Sequence, residues 1–176
     1  MLEKRLENAL QGEKLSPDDC LALADLCRLH KKRYHDAARL FDMAFAAKPK
    51  LEADVFKWHR YHAACAAALA AAGKGVGADE LEGKEKSRLR QKALAWLEAE
   101  LAVRRYFLLM TFMENPLVVA RVQKDLQDWQ DEPDLTGVRD NEELARLPAD
   151  EQEVWQKFWT NVEALRNLAR ERKANR

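Results

Sequence analysis

The chain has 176 residues, 47% of them hydrophobic, which suffices for one domain of ordinary size with a packed core. Thirty basic residues balance thirty acidic ones, so no global positive field steers the protein onto nucleic acid or an anionic membrane, and any such contact has to be local. No stretch approaches the roughly 18 uninterrupted apolar residues of a membrane span, and the opening MLEKRLENALQGEKL lacks the apolar segment of a signal peptide. Cys20, Cys27 and Cys65 are odd in number and lie inside apolar helical patterns, as reduced, buried thiols do, so a soluble, cytoplasmic chain is expected.

The first segment spaces Leu2, Leu6 and Leu10 four apart and stops at Gly12, which predicts a short amphipathic helix. In SPDDCLALADLCRLHKKRY, Ser16 can accept from the free N–H groups of a first turn, Pro17 fits the first helical position, and Asp18 and Asp19 suit the positive end of the helix dipole. The helix they start carries Cys20, Leu23, Ala24 and Cys27 on one face. After a turn at HKKR, a second helix from Tyr34 carries Ala37, Ala38, Phe41, Ala44 and Phe45 and ends near Pro49. The next helix lies in HRYHAACAAALAAAGKG, where Ala63 to Ala72 combines high helix propensity with methyl side chains that let neighbouring helices come close.

A polar insertion at 73–86, GKGVGADELEGKEK, is expected to form a mobile loop. The helix after it keeps Ala93, Leu97 and Leu101 in register and runs to about Met113, because Asn115 and Pro116 supply the cap and first position of another helix. That helix presents Val118, Val119, Val122, Leu126 and Trp129. A turn-rich link, DEPDLTGVRDNEELARLP, leads to a last helix with a broad stripe of Trp155, Phe158, Trp159, Val162, Leu165 and Ala169.

The segment RYHDAARLFDMAFAAKP, with Tyr34, Ala37, Phe41, Ala44 and Pro49, resembles the second helix of a tetratricopeptide repeat, and Leu23 and Ala24 fit the large and small pair of the first. The turn between the two helices is one residue longer than the family's period of about 34 allows. Tyr61, Ala64, Cys65 and Ala68 repeat the first-helix pattern. Taken with LRQKALAWLEAEL, QDWQDEPDLTGVRD and LPADEQEVWQKFW, the chain from about residue 20 to 168 resembles the tetratricopeptide-like region that follows the kinase domain of large bacterial serine/threonine protein kinases. An asparagine commonly follows the tyrosine that Tyr61 matches in that family, and His62 stands here instead. The resemblance implies a single all-α repeat domain over 1–176, an irregular α-solenoid of about six to eight helices. Its parts are a first hairpin at 14–49, a second at 55–113, and capping helices at 114–172 that close the open end of the array.

The resemblance also implies a non-catalytic interaction segment. No Gly-rich G-x-G-x-x-G-x-V loop, H-R-D or D-F-G is present, so no kinase chemistry resides here. No catalytic residue, metal or cofactor is expected, and the reading is a scaffold that binds a protein or peptide partner through a helical groove lined by Asp25, Arg28, His59, His62 and Leu69. The Lys and Asn pattern by which some tetratricopeptide proteins hold a C-terminal carboxylate is missing, because Leu21, Asp25 and Ala63 occupy the matching positions.

Two alternatives compete. His59, His62 and Cys65 recur every three residues and could offer nitrogen and sulfur to a metal in an enzyme, although a fourth ligand is not apparent. Trp155 and Trp159 could pair with their copies in a homodimer. GKGVG lacks the Lys-Ser/Thr ending of a phosphate loop and reads as linker, and the acidic residues of DELEGKEK and LEAEL read as solvated charge. Arg166, Arg170, Arg172, Lys173 and Arg176 complement the dipole of the last helix, which accounts for them without a nucleic-acid partner.

Overall fold

The computed structural model describes residues 2–53, 57–111 and 116–174. The helix limit at Met113 and the cap at Asn115 fall outside the described residues, as do Arg176 and the side chains of Leu2, Leu10, Arg172 and Lys173. Among the described residues the protein is helical with no strand, and no helix is long and apolar enough to cross a membrane. The α-helices are α1 (Leu2–Leu10), α2 (Pro17–Leu26), α3 (Tyr34–Ala47), α4 (Pro49–Ala53), α5 (His59–Ala71), α6 (Gly83–Tyr106), α7 (Pro116–Asp131), α8 (Asn141–Leu144) and α9 (Ala149–Ala174). Nine among the described residues exceed the six to eight that the pattern predicts, because α4 and α8 are too short to leave a periodicity. The chain divides into two compact units, Met1–Trp96 and Leu97–Arg176, with the division inside α6.

In the first unit, α2 begins as its residues dictate. Ser16 is extended, its Oγ accepts the Asp19 N–H at 3.1 Å, and Pro17 follows. Arg5 on α1 reaches Asp19 at 2.8 Å, which ties the first helix to the start of the second. The additional residue between α2 and α3 is absorbed as a π-turn, Cys27–Lys31, where the backbone bulges by one residue per turn. Its end is closed by Lys32 in the left-handed region, φ 51°, and by the Arg33 N–H donating to the Cys27 carbonyl at 3.0 Å. α3 then packs back on α2, with Ala37, Phe41 and Ala44 fully buried at the contact.

α5 packs on α3, and ten of its thirteen residues are buried, so this helix is enclosed on nearly every side. That is the physical reason for the alanine run: a helix without a solvent face needs small side chains all round. Arg60, itself buried, donates through Nε and Nη2 to the Glu52 carbonyl at 3.1 and 2.7 Å and closes the end of α4.

Three contacts join α3 to α6 in step. His35 Nε2 lies 3.0 Å from Glu85 Oε1, Lys92 Nζ bonds Asp42, and Phe45 meets Trp96 edge-on at 5.9 Å. The partners are 50, 50 and 51 residues apart, so the two helices run in the same direction.

The insertion differs from the free loop predicted for it. Gly73 closes α5 at φ 73°, Lys74 N–H donates to the Leu69 carbonyl, and Val76 N–H donates to the Lys32 carbonyl at 2.9 Å, while Ala78 is buried. The helix resumes at Gly83, within the expected loop. Gly75 has φ 85°, and a Cβ there would overlap the Lys32 carbonyl oxygen and come within 2.6 Å of the Tyr34 ring. Gly75→Ala is therefore expected to destabilise the protein by about 2–3 kcal/mol, from a strained φ plus the clash. Gly77→Ala, at φ 71° with open space around it, carries only the φ penalty of about 1 kcal/mol. Equal urea midpoints for the two variants would show that the loop is not docked.

In the second unit, α7 packs on α9 around Trp129, which stacks on Phe158 at 6.5 Å; Trp155 and Trp159 meet Phe158 edge-on at 5.9 and 5.1 Å. The link DLTGVRD is a structural joint. Leu135 and Val138 are buried in a 3₁₀ segment, Pro133–Val138, and Arg139 donates to the Glu132 carbonyl at 2.7 Å, capping the end of α7. The Trp159 Nε1–H donates to the Val138 carbonyl at 2.7 Å and fixes the joint to α9.

Candidate functional site

Four of the five residues expected to line a groove come together in the first unit. Asp25 sits on α2 and Arg28 in the π-turn that extends it, and they pair at 3.1 Å. His59 and His62 lie on the first turn of α5, and His62 is within electrostatic reach of Arg28, Asp25 and His59. The two helices supply matching positions, because Arg28 and His62 are 34 residues apart, as are Asp25 and His59. Leu69, two turns further along α5, is half-buried.

All four polar residues are half-buried, so each keeps some access to solvent. Burial holds the His62 imidazole down at a pKa of about 4, helped by the neighbouring Arg28 charge and opposed by Asp25. His62 is consequently neutral at physiological pH and offers one N–H donor and one acceptor. Arg28 Nε–H is buried and meets no acceptor among the described residues, although the same guanidinium reaches Asp25 through Nη2. The cluster therefore presents hydrogen-bond donors and acceptors that keep some access to solvent. A base held near pKa 4 is poorly matched to proton transfer at neutral pH.

The depressed His62 pKa has a stability consequence. The unfolded chain, with an ordinary histidine near 6.5, binds a proton more readily than the folded one, so stability falls as pH drops from about 6.5 to about 4 and levels off below. His62→Asn removes that proton linkage. The urea midpoint of the wild type is expected to decline more steeply than that of the variant across this window, and parallel profiles would place His62 in water.

The metal alternative finds no support in the geometry: among the described residues no group of three or more His, Cys, Asp or Glu side chains is arranged to hold an ion, and Cys65 is buried in the helix packing. The buried thiol of Cys27 is likewise pushed up to about 11, chiefly by burial, with Asp36 adding to it. Of the two tryptophans named for the homodimer alternative, Trp155 is 1% exposed against Phe158, whereas Trp159 is half-buried with its indole N–H donating to the Val138 carbonyl.

One reading of the acidic residues is corrected. Glu100, in LEAEL, is not solvated; it is 1% exposed and bonds Arg104 one turn on, which is 4% exposed. Arg104 also reaches Asp125 at 3.4 Å, Asp125 takes Arg121 at 2.7 Å, and the Arg104 guanidinium lies 4.8 Å from the centre of the Trp129 ring. The signal was present as two four-residue spacings, Glu100 with Arg104 and Arg121 with Asp125. That spacing is equally common on solvated helices, so it does not reveal burial. The cluster is enclosed and joins the end of α6 to α7 inside the second unit.

When the chain is compared with known proteins, no family model, no curated protein and no solved structure matches it.

Proposed function

We propose that this protein is a non-catalytic interaction scaffold of the cytoplasm, whose first unit binds a peptide or helix of a partner protein along α2 and α5. The observation that carries this reading is the convergence of Asp25 and Arg28 with His59 and His62 at matching positions of two helices, with a buried Arg28 donor left over. The first unit is read as two tetratricopeptide-like hairpins, α2 with α3 and α5 with α6. The first helices align at a spacing of 34 residues, and the second helices at 50, with the difference falling between His62 and Glu85 in the longer connection after α5. The resemblance to the region that follows bacterial serine/threonine kinase domains supplies a context: a regulatory or interaction segment of such a kinase. Binding would rest on shape and on hydrogen bonds to a bound main chain, with Leu69 as an apolar neighbour.

The test is a selection of random peptides displayed on phage against the immobilised chain, followed by affinity measurement. The selected peptides are expected to lose about tenfold in affinity with Arg28→Ala and with His62→Ala, on the scale of one lost polar contact. Selected peptides whose affinity is indifferent to both substitutions, or no selected peptide at all, would refute the groove.

A further inference from the structure

At one corner of the first unit the π-turn after α2 and the loop after α5 meet, joined by the Val76 N–H to Lys32 carbonyl bond and by the close seat of Gly75 against Lys32 and Tyr34. The turn brings His30, Lys31, Lys32 and Arg33 to this corner, and the loop brings Lys74. Arg33 is held by Asp36 at 2.6 Å, whereas Lys32 and Lys74 are exposed and make no ion pair among the described residues. Leu29, in the turn, is 58% exposed and Val76, in the loop, is 64% exposed; among the large apolar side chains described only Leu117 is more open. Single exposed apolar residues need no explanation, but two of the three most exposed fall on the same corner, beside free lysines.

Leu29 and Val76 each leave more than half of their surface in water, which suits contact with an extended surface better than a slot for a peptide. A flat surface that takes ammonium groups and short aliphatic chains together is an anionic lipid bilayer, where lysines meet headgroup phosphates and Leu29 and Val76 enter the boundary of the acyl region. The neutral overall charge is no obstacle, since the attraction acts over about a Debye length of roughly 8 Å and is local. Asp79 and Glu80 follow beyond buried Ala78 and keep the contact weak and reversible. We propose that this corner, with Lys32, Lys74, Leu29 and Val76, adsorbs the protein to anionic membrane surfaces.

The experiment is co-sedimentation of the full chain with vesicles containing about one third phosphatidylserine in phosphatidylcholine, beside vesicles of phosphatidylcholine alone. Binding is expected to the anionic vesicles only, and to fall as salt is raised. Each lysine neutralised should lower affinity about fivefold, so Lys32→Gln with Lys74→Gln should lower it about 25-fold, and Leu29→Ser with Val76→Ser should also weaken it. Circular dichroism checks that both double variants stay folded. Lys157→Gln on α9, also exposed, should bind as the wild type does. Failure to sediment at low salt, an equal loss with Lys157→Gln, or binding to polyglutamate without binding to vesicles would overturn the proposal; the last would assign the corner to an acidic protein segment.

Discussion

Replacing Arg104 by alanine is expected to destabilise the second unit by about 3–5 kcal/mol, which is the usual penalty for removing one partner of a buried ion pair. Glu100, 1% exposed, would keep its carboxylate in the interior without the guanidinium that bonds it, and Trp129 would lose the cation over its ring. Asp125 would retain Arg121, which is largely exposed, so the Glu100 side bears most of the loss. Urea unfolding followed by tryptophan fluorescence and circular dichroism reads the change. A double variant, Glu100→Leu with Arg104→Met, removes both charges at similar volume and is expected to recover most of the stability. A loss below about 1 kcal/mol for Arg104→Ala would mean that the pair behaves as a surface salt bridge, and that the end of α6 does not pack on α7 as described.

Trp155→Ala is expected to cost about 3–5 kcal/mol, the range for truncating a large buried aromatic side chain. Trp155 is packed against Phe158, which in turn stacks on Trp129, so its loss leaves a cavity at the centre of the α7 and α9 packing. The measurement also decides the homodimer alternative. A tryptophan that served as an interface between copies could be removed with a fall in oligomeric state and little change in unfolding. Light scattering over a concentration series beside thermal melts separates the two results. A lowered melting temperature with unchanged mass is the expected outcome.

The two variants mark a boundary that runs through the whole molecule. Local features were legible in the sequence because their causes lie within a few residues. Ser16, Pro17 and Asp19 cap α2 through neighbouring backbone groups, and the alanines of α5 favour a close-packed helix wherever it stands. The grouping of Asp25, Arg28, His59 and His62 was legible for a similar reason: helical periodicity sets the face, and a 34-residue offset sets the neighbouring helix. Leu69 was placed by periodicity alone, and it is half-buried on α5.

Other properties were decided only by partners distant in the chain. Whether Glu100 is solvated depends on Arg104 lying against Asp125 and Trp129, which no spacing within LEAEL expresses. Whether the loop after α5 is free depends on the Lys32 carbonyl and on the absence of a Cβ at Gly75. An apolar stripe requires burial without naming what buries it; for Trp155 and Phe158 on α9 that is the chain's own Trp129 and the packing around it. The sequence by itself determined the longer helices and the meeting of Asp25, Arg28, His59 and His62, through propensity, capping and periodicity. Burial of charge, docking of the loop and covering of the aromatic face belong to the tertiary structure, because each is an interaction between segments whose meeting no local signal encodes.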